Sequence, residues 1–313
     1  MIEFLILSIL NIKGFGPKFL FRNEKALRNA EKKCSSVREA ITLVLEETKR
    51  INKTTLEDIE KGITTASQIL DNCKKYTIHP ISFLNDHYPQ NVLQASELWP
   101  VLYVTGNEQI LNEYSVGVIG TKNPDKHGQI ISQKITEFSD EEEITLNVMH
   151  QKGVSTIVKE TKDNFLIEVV ASGIDQVYLP DNDIFHSDSI TVVSPFPPEV
   201  TYDDYKYIEA CKVLASLSNR VVLIQDATSD DTRFVLSYFA RSEKVLGVIK
   251  PIDTAINYPI NSGNKLLISE EKEGIISYCR AKDVHKDSVI CDIKIITSKN
   301  DYPQFFKEEE LPF

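Results

Sequence analysis

Between residues 101 and 249 the chain returns again and again to short, almost uninterrupted apolar runs: Val101 to Thr105, Val116 to Ile119, Ile144 to Val148, Phe165 to Val170, Ile190 to Val193, Arg220 to Ile224 and Val245 to Ile249. A strand with one wet face alternates polar and apolar residues, whereas a run apolar at successive positions must be buried on both faces, as in a parallel sheet covered by helices. The stretches between the runs supply such helices. Ile130, Ile131, Ile135 and Phe138 form one buried stripe, and Tyr207, Cys211, Leu214, Ala215 and Ser218 form another. Alternating β and α elements predict an α/β protein with a Rossmann-like, doubly wound, mostly parallel sheet, whose ligand site lies outside the carboxyl ends of the strands.

A small all-helical N-terminal domain is expected to precede that sheet over residues 1–75. Leu5, Leu7, Ile9 and Leu10 begin an apolar helix, the Gly14-Phe15-Gly16 turn breaks it, and Val37, Ala40, Ile41, Val44 and Leu45 recur at helical spacing. Thr55 with Asp58 forms a capping-box start for a helix over Leu56 to Leu70. The sheet domain is expected over 76–280, and residues 281–313 read as a charged C-terminal tail ending in Glu308-Glu309-Glu310-Leu311-Pro312-Phe313.

Composition narrows the function. Hydrophobic residues make up 42% and charged residues 26% of 313, as in a globular protein, and no window approaches the roughly 18 apolar residues of a membrane span. The start Ile2 to Leu10 carries Glu3 and lacks a basic n-region, so it reads as a buried helix, and a cytoplasmic location is expected. Five scattered cysteines without C-x-x-C spacing read as free thiols, with no disulfide framework and no zinc site. Net charge is −11, unfavourable for a polyanion partner in general. It is unevenly spread: residues 1–75 hold 14 Lys and Arg against 10 Asp and Glu, and the rest hold 21 against 36. A polyanion must therefore meet a local basic patch, with steep salt dependence.

The run into Ser115-Val116-Gly117-Val118-Ile119-Gly120-Thr121-Lys122, with Gly128 opening the next helix, has the form of a phosphate-facing βα loop. With Phe83 to Pro89, Trp99 to Gly106, Ile167 to Asn182, Tyr207 to Ser218 and Asn261 to Ile268 it makes an ordered set of marks. In order and spacing these resemble the DprA/Smf family of DNA-processing proteins. The resemblance runs from about residue 1 to residue 280. It implies that Gly120 lets backbone approach an anion, that Thr121 donates a hydroxyl and that Lys122, standing where the family has arginine, supplies charge. A further family signature falls on Val148 to Ser155, leaving Lys152 and Gly153, with Lys159 at the place of a histidine. The family's Arg-Asn-Arg helix falls on Ala210 and Lys212. Its Ser-Gly-Ser loop is replaced by Gln225 to Thr232, where Asp230 and Asp231 would repel an anion. His150 has no ligand or nucleophile partner in sequence and reads as structural, and Asp175 as a turn cap.

By that resemblance the protein is a non-enzymatic, single-stranded DNA-binding homodimer that protects DNA and passes it to a RecA-type recombinase in recombination or transformation. Nucleic-acid contacts fall on Gly120, Thr121, Lys122, Lys152 and Lys212. A phosphate contact in the N-terminal domain falls on Gly14, Gly16 and Lys18, in a turn similar to helix-hairpin-helix or SAM-like modules. The sequence carries no Ser-His-Asp or Cys-His set, no paired-carboxylate motif and no P-loop, so no cofactor or metal is expected. Two alternatives remain at this level: a nucleotide-signal sensor using the same crevice, and a degenerate interaction scaffold, either of them in phage defence.

Overall fold

A computed structural model describes residues 1–95, 97, 99–179, 182–280 and 284–307. The chain opens with helices α1 (Ile2–Leu10), α2 (Pro17–Arg22), α3 (Glu24–Lys33), α4 (Val37–Glu47) and α5 (Leu56–Lys75). The starts of α4 and α5 are set by reciprocal capping boxes, Ser36 with Glu39 and Thr55 with Asp58, in which a side chain and a backbone N–H satisfy each other. Strand β1 (His79–Ser82), the short helix α6 (Gln90–Leu93) and strand β2 (Val101–Gly106) follow. The alternating part then runs β3 (Ser115–Ile119), α7 (Lys126–Glu141), β4 (Thr145–Met149), α8 (Val154–Thr161), β5 (Leu166–Val169), β6 (Ile190–Ser194), α9 (Asp204–Leu217), β7 (Arg220–Leu223), α10 (Arg233–Phe239), β8 (Val245–Ile249), α11 (Ser262–Cys279), β9 (Asp292–Ile296) and α12 (Tyr302–Phe306).

Among the described residues one sheet orders the strands β1-β2-β6-β5-β4-β3-β7-β8-β9. From β6 to β9 all neighbours are parallel, and β2 joins β6 and β1 joins β2 antiparallel. The chain winds outward from β3 through β4 and β5 to β6, then returns to the far side of β3 with β7. The crossover order therefore reverses between β3 and β7, and a crevice opens above their carboxyl ends.

Both faces of the sheet are covered. Val116, Val118, Leu146 and Val148 pack with Ile135 of α7, Val154 and Val158 of α8 and Phe305 and Phe306 of α12. On the other face Ile119, Met149 and Val193 belong to a core that includes Tyr207, Cys211 and Leu214 of α9 and continues into Leu5, Ile6, Leu27 and Ile41 of the N-terminal helices. The helical layer and the sheet thus share one continuous apolar interior. The same continuity shows at the surface, where Asn85 donates to Glu3 of α1 at 3.1 Å.

The charged tail expected from residue 281 is corrected for its described part, 284–307. β9 extends the sheet in parallel with β8, and Tyr302, Phe305 and Phe306 are buried. As an edge strand it is only partly covered: Asp292 and Ile295 are exposed, Ile293 and Lys294 half-buried and Ile296 buried, so it lacks the continuous apolar run of the inner strands. Residues 308–313, which carry the acidic end of that reading, and Pro180 and Asp181 of the family-like turn lie outside the described residues.

Candidate nucleic-acid interface

Gly120, Thr121 and Lys122 leave β3 directly into the crevice. Thr121 N–H donates to Gln225 O at 2.8 Å, which ties the loop after β3 to the loop after β7. Gly120 is needed for contact: a methyl group there would lie 2.7 Å from Val154 Cγ2 and 3.1 Å from Gln225 O. Thr121 is buried, and its hydroxyl accepts from Asn123 N–H at 3.3 Å. Accepting that bond braces the loop, and Thr121 also lines the small cavity of the crevice.

The amino end of α7 is closed in the same way. Asp125 accepts from Gly128 N–H at 2.9 Å, and Gln225 Oε1 accepts from Asp125 N–H at 2.9 Å. Partial burial would raise Asp125, but the Gly128 N–H and the Gln225 side chain outweigh it and hold the carboxyl below its ordinary range. The donors that a phosphate would seek at this helix start already have an internal carboxylate.

What remains for a ligand is charge at the rim. The Lys122 ammonium lies 2.8 Å from Asp231 Oδ2 and 5.4 Å from the centre of the Tyr207 ring, with about half its side chain exposed. Its hydrogen bond to Asp231 holds it above the ordinary lysine range. Asp231 stands in a loop fixed from beneath by Asp226, which is fully buried and bonded to the hydroxyls of Thr232 and Tyr278. Burial, reinforced by Asp230, pushes Asp226 well above the usual carboxylate range. A cavity of about 90 Å³ lies between these loops, lined in part by Lys122, Gln151, Ser229 and Asp230.

Lys152 is brought to the same rim. Gly153 next to it has φ +81°, and a methyl group there would lie 2.3 Å from Thr121 O and 2.6 Å from Lys122 Cα. The loops after β3 and β4 are therefore in backbone contact, closed by Val154 N–H donating to Thr121 O at 3.2 Å. Lys152 is exposed, and no ion pair to it occurs among the described residues. Tyr207 O–H donates to Gln151 at 2.9 Å and so ties the loop to α9.

Lys212 is not part of this group. It lies five residues beyond Tyr207, which turns it roughly 140° around the helix, and its ammonium pairs with Glu209 at 2.8 Å and Glu97 at 3.4 Å. Burial would lower Lys212, but the two carboxylates outweigh it and hold the ammonium above its ordinary range. Gly14 has φ +91° in the turn after α1, Gly16 caps α2 in extended conformation, and Lys18 is exposed one residue beyond Pro17. This turn belongs to the helical layer.

His150, solitary in sequence, has partners in space. Its Nδ1 lies 2.8 Å from Glu168 of β5, Lys159 Nζ lies 2.9 Å from both oxygens of the same carboxylate, and Tyr178 O–H bonds to it as well. Lys159 is thereby turned into a buried network that anchors the residue before Gln151 and Lys152. Burial would raise Glu168, but His150 and Lys159 outweigh it and hold it below the ordinary 4.5. The unfolded chain then takes up the proton first, so this stabilisation is complete above about pH 4.5 and disappears as pH falls through the lower folded value. Glu168→Gln is expected to cost about 3 kcal/mol at neutral pH, as when one member of a buried ion pair is removed. It should also flatten the acid limb of a urea-denaturation series, and an acid limb unchanged in the variant would remove Glu168 as its source.

Two exposed aromatic side chains, one beside Tyr207 and one on a neighbouring cleft, carry no mark in the sequence reading. Tyr202, in the segment leading from β6 into α9, and Tyr205, in the first turn of α9, are 57% and 70% exposed. Tyr202 lies 6.4 Å, centre to centre, from Tyr207. Three tyrosines at 202, 205 and 207 around Lys206, just past the carboxyl end of a predicted strand, were the available signal. Asp175, read as a turn cap, accepts from Glu199 N–H at 3.0 Å. Among the described residues no group of three or more His, Cys, Asp or Glu is arranged to hold a metal ion, and no helix is long and apolar enough to cross a membrane.

A parallel sheet whose winding reverses beside β3, with basic and aromatic side chains above the reversal, defines a Rossmann-type binding protein. Its sequence matches the family described as DNA recombination-mediator protein A over residues 79–286, about two thirds of the chain. The chain belongs to that family, known as DprA. Its fold is similar to that of DNA processing protein A from Streptococcus pneumoniae, with TM-score 0.66 and 15% identity, covering 98% of this chain and 99% of that one. It is also similar to DNA processing protein A from Helicobacter pylori, a structure that concerns that protein's single-stranded DNA binding mode, with TM-score 0.55 and 16% identity, covering 67% of this chain and 98% of that one. No curated protein matches the sequence.

Proposed function

We propose that the protein is a non-enzymatic recombination mediator that holds single-stranded DNA at the crevice above β3 and β7 and, as a homodimer, delivers it to a RecA-type recombinase. The observation that supports this reading is the contact of Gly153 with the Thr121–Lys122 backbone, which brings the backbone next to Lys152 against that of Lys122. Two cations on one rim suit successive phosphates, and the exposed rings of Tyr202 and Tyr205 suit unpaired bases, which stack on aromatic side chains without regard to sequence. Membership of a recombination-mediator family supports the same reading. An enclosed nucleotide signal is disfavoured, because the crevice cavity of about 90 Å³ is far below the roughly 300 Å³ at which small-molecule pockets begin.

The test is fluorescence anisotropy of a labelled single-stranded oligonucleotide at about 50 and 200 mM salt, where phosphate contacts produce a steep loss of affinity. Absence of binding at the lower salt would refute the reading. Asp231 adds a second test of opposite sign. Its carboxylate occupies Lys122 at 2.8 Å, so Asp231→Asn frees a cation and removes a repelling charge. Exposed pairs of this kind are worth about 0.2–1 kcal/mol, and affinity should rise by up to about fivefold. A fall in affinity would mean that Asp231 supports the loop more than it competes with the strand.

A further inference from the structure

We infer that the cleft between the helical layer and the sheet is a second subsite, which takes a nucleobase of the bound strand and favours bases carrying an exocyclic amine. The inference rests on the proposed single-stranded DNA reading and extends it. The cleft measures about 400 Å³ and lies where Pro17 and Leu7 of the helices face Trp99, Phe196 and Tyr205. Trp99 is 8% exposed and forms part of the floor, whereas Tyr205, at 70%, stands at the mouth. Tyr205, in the first turn of α9, comes three residues after Tyr202, whose ring lies 6.4 Å, centre to centre, from Tyr207 beneath Lys122. The chain therefore passes from the crevice rim at Tyr202 to the cleft at Tyr205 within three residues.

The chemistry of the walls selects the occupant. Planar apolar surfaces accept the face of a base, and stacking of this kind is a main source of affinity for unpaired strands. Glu97 and Glu209 also line the cleft, with Lys212 bonded to both. Two carboxylates against one ammonium leave the wall net negative, which disfavours a phosphate here and leaves the strand's backbone outside with Lys122 and Lys152 while a base turns inward. A carboxylate accepts from an amino group such as cytosine N4 and offers nothing to the carbonyl that thymine has in its place.

The experiment compares oligo(dC) and oligo(dT) by anisotropy for the full chain, for Tyr205→Ala, for Glu97→Gln and for Lys122→Ala/Lys152→Ala, with 2-aminopurine fluorescence reporting stacking. Tyr205 is largely exposed and Glu97 is 40% exposed, so neither change is expected to disturb the fold. The full chain should bind oligo(dC) at least threefold more tightly than oligo(dT) and quench 2-aminopurine. Tyr205→Ala should lose at least fivefold affinity for both oligonucleotides and restore much of the emission, and Glu97→Gln should narrow the dC preference. If Tyr205→Ala binds and quenches like the parent while the double lysine variant loses binding, the cleft is not a base site and the crevice reading stands. If the parent binds neither oligonucleotide, both fall together.

Discussion

Replacing Lys122 and Lys152 together by alanine is expected to lower affinity for single-stranded DNA by tenfold or more at about 50 mM salt, and to flatten its salt dependence. Each single-strand phosphate contact contributes a slope of about −0.7 in log K against log salt, so two lost contacts should reduce the slope by about 1.4. The single variants should be unequal. Lys122 leaves Asp231 to meet a phosphate, exchanging one ion pair for another, whereas no ion pair to Lys152 occurs among the described residues. Lys152→Ala should therefore cost more than Lys122→Ala. A double variant with unchanged slope would place the phosphate contacts elsewhere on the surface.

The second large effect is structural. Gly153→Ala is expected to destabilise the protein by 3 kcal/mol or more, measured by urea denaturation. A side chain at φ +81° carries strain on the order of 1–3 kcal/mol. In addition, the new methyl group would stand 2.3 Å from Thr121 O and 2.5 Å from Lys122 C, and these are backbone atoms that cannot swing aside. The loops must separate, and the bond from Val154 N–H to Thr121 O at 3.2 Å goes with them. Gly14→Ala is the matched control. Its φ is +91°, but nothing lies within 4 Å of the added methyl group, so only the strain should appear. Equal losses in the two variants would mean that the contact between the loops contributes nothing.

The sheet was legible because its inner strands are apolar on both sides: each of the seven runs beginning at Val101 and ending at Ile249 corresponds to a strand. The two edges were not. β1 opens on His79-Pro80 and β9 on Asp292-Ile293-Lys294, and a strand with one neighbour and one wet side leaves too short an alternation to stand out from charged loop. Position along the chain placed Lys122 and Lys152 in the loops that follow β3 and β4. It did not give the side-chain direction of Lys212, which depends on helix rotation, the pairing of Asp231 with Lys122, which needs β7 to return beside β3, or Tyr205 at the start of α9. What the sequence did not show at Thr121 is its local bond, the hydroxyl accepting from Asn123 N–H.

The Lys122–Asp231 pair has a kinetic consequence. On the proposed reading a bound strand displaces a carboxylate that remains tethered a few ångströms away, at high effective concentration. A dissolved anion must diffuse in to reclaim the lysine, whereas Asp231 only has to turn. Each momentary opening of the phosphate contact can then be captured from within, which shortens the residence time of the strand more than it slows its arrival. Rapid exit suits a protein whose cargo is meant for another, and Asp231→Asn should hold DNA longer and surrender it more slowly.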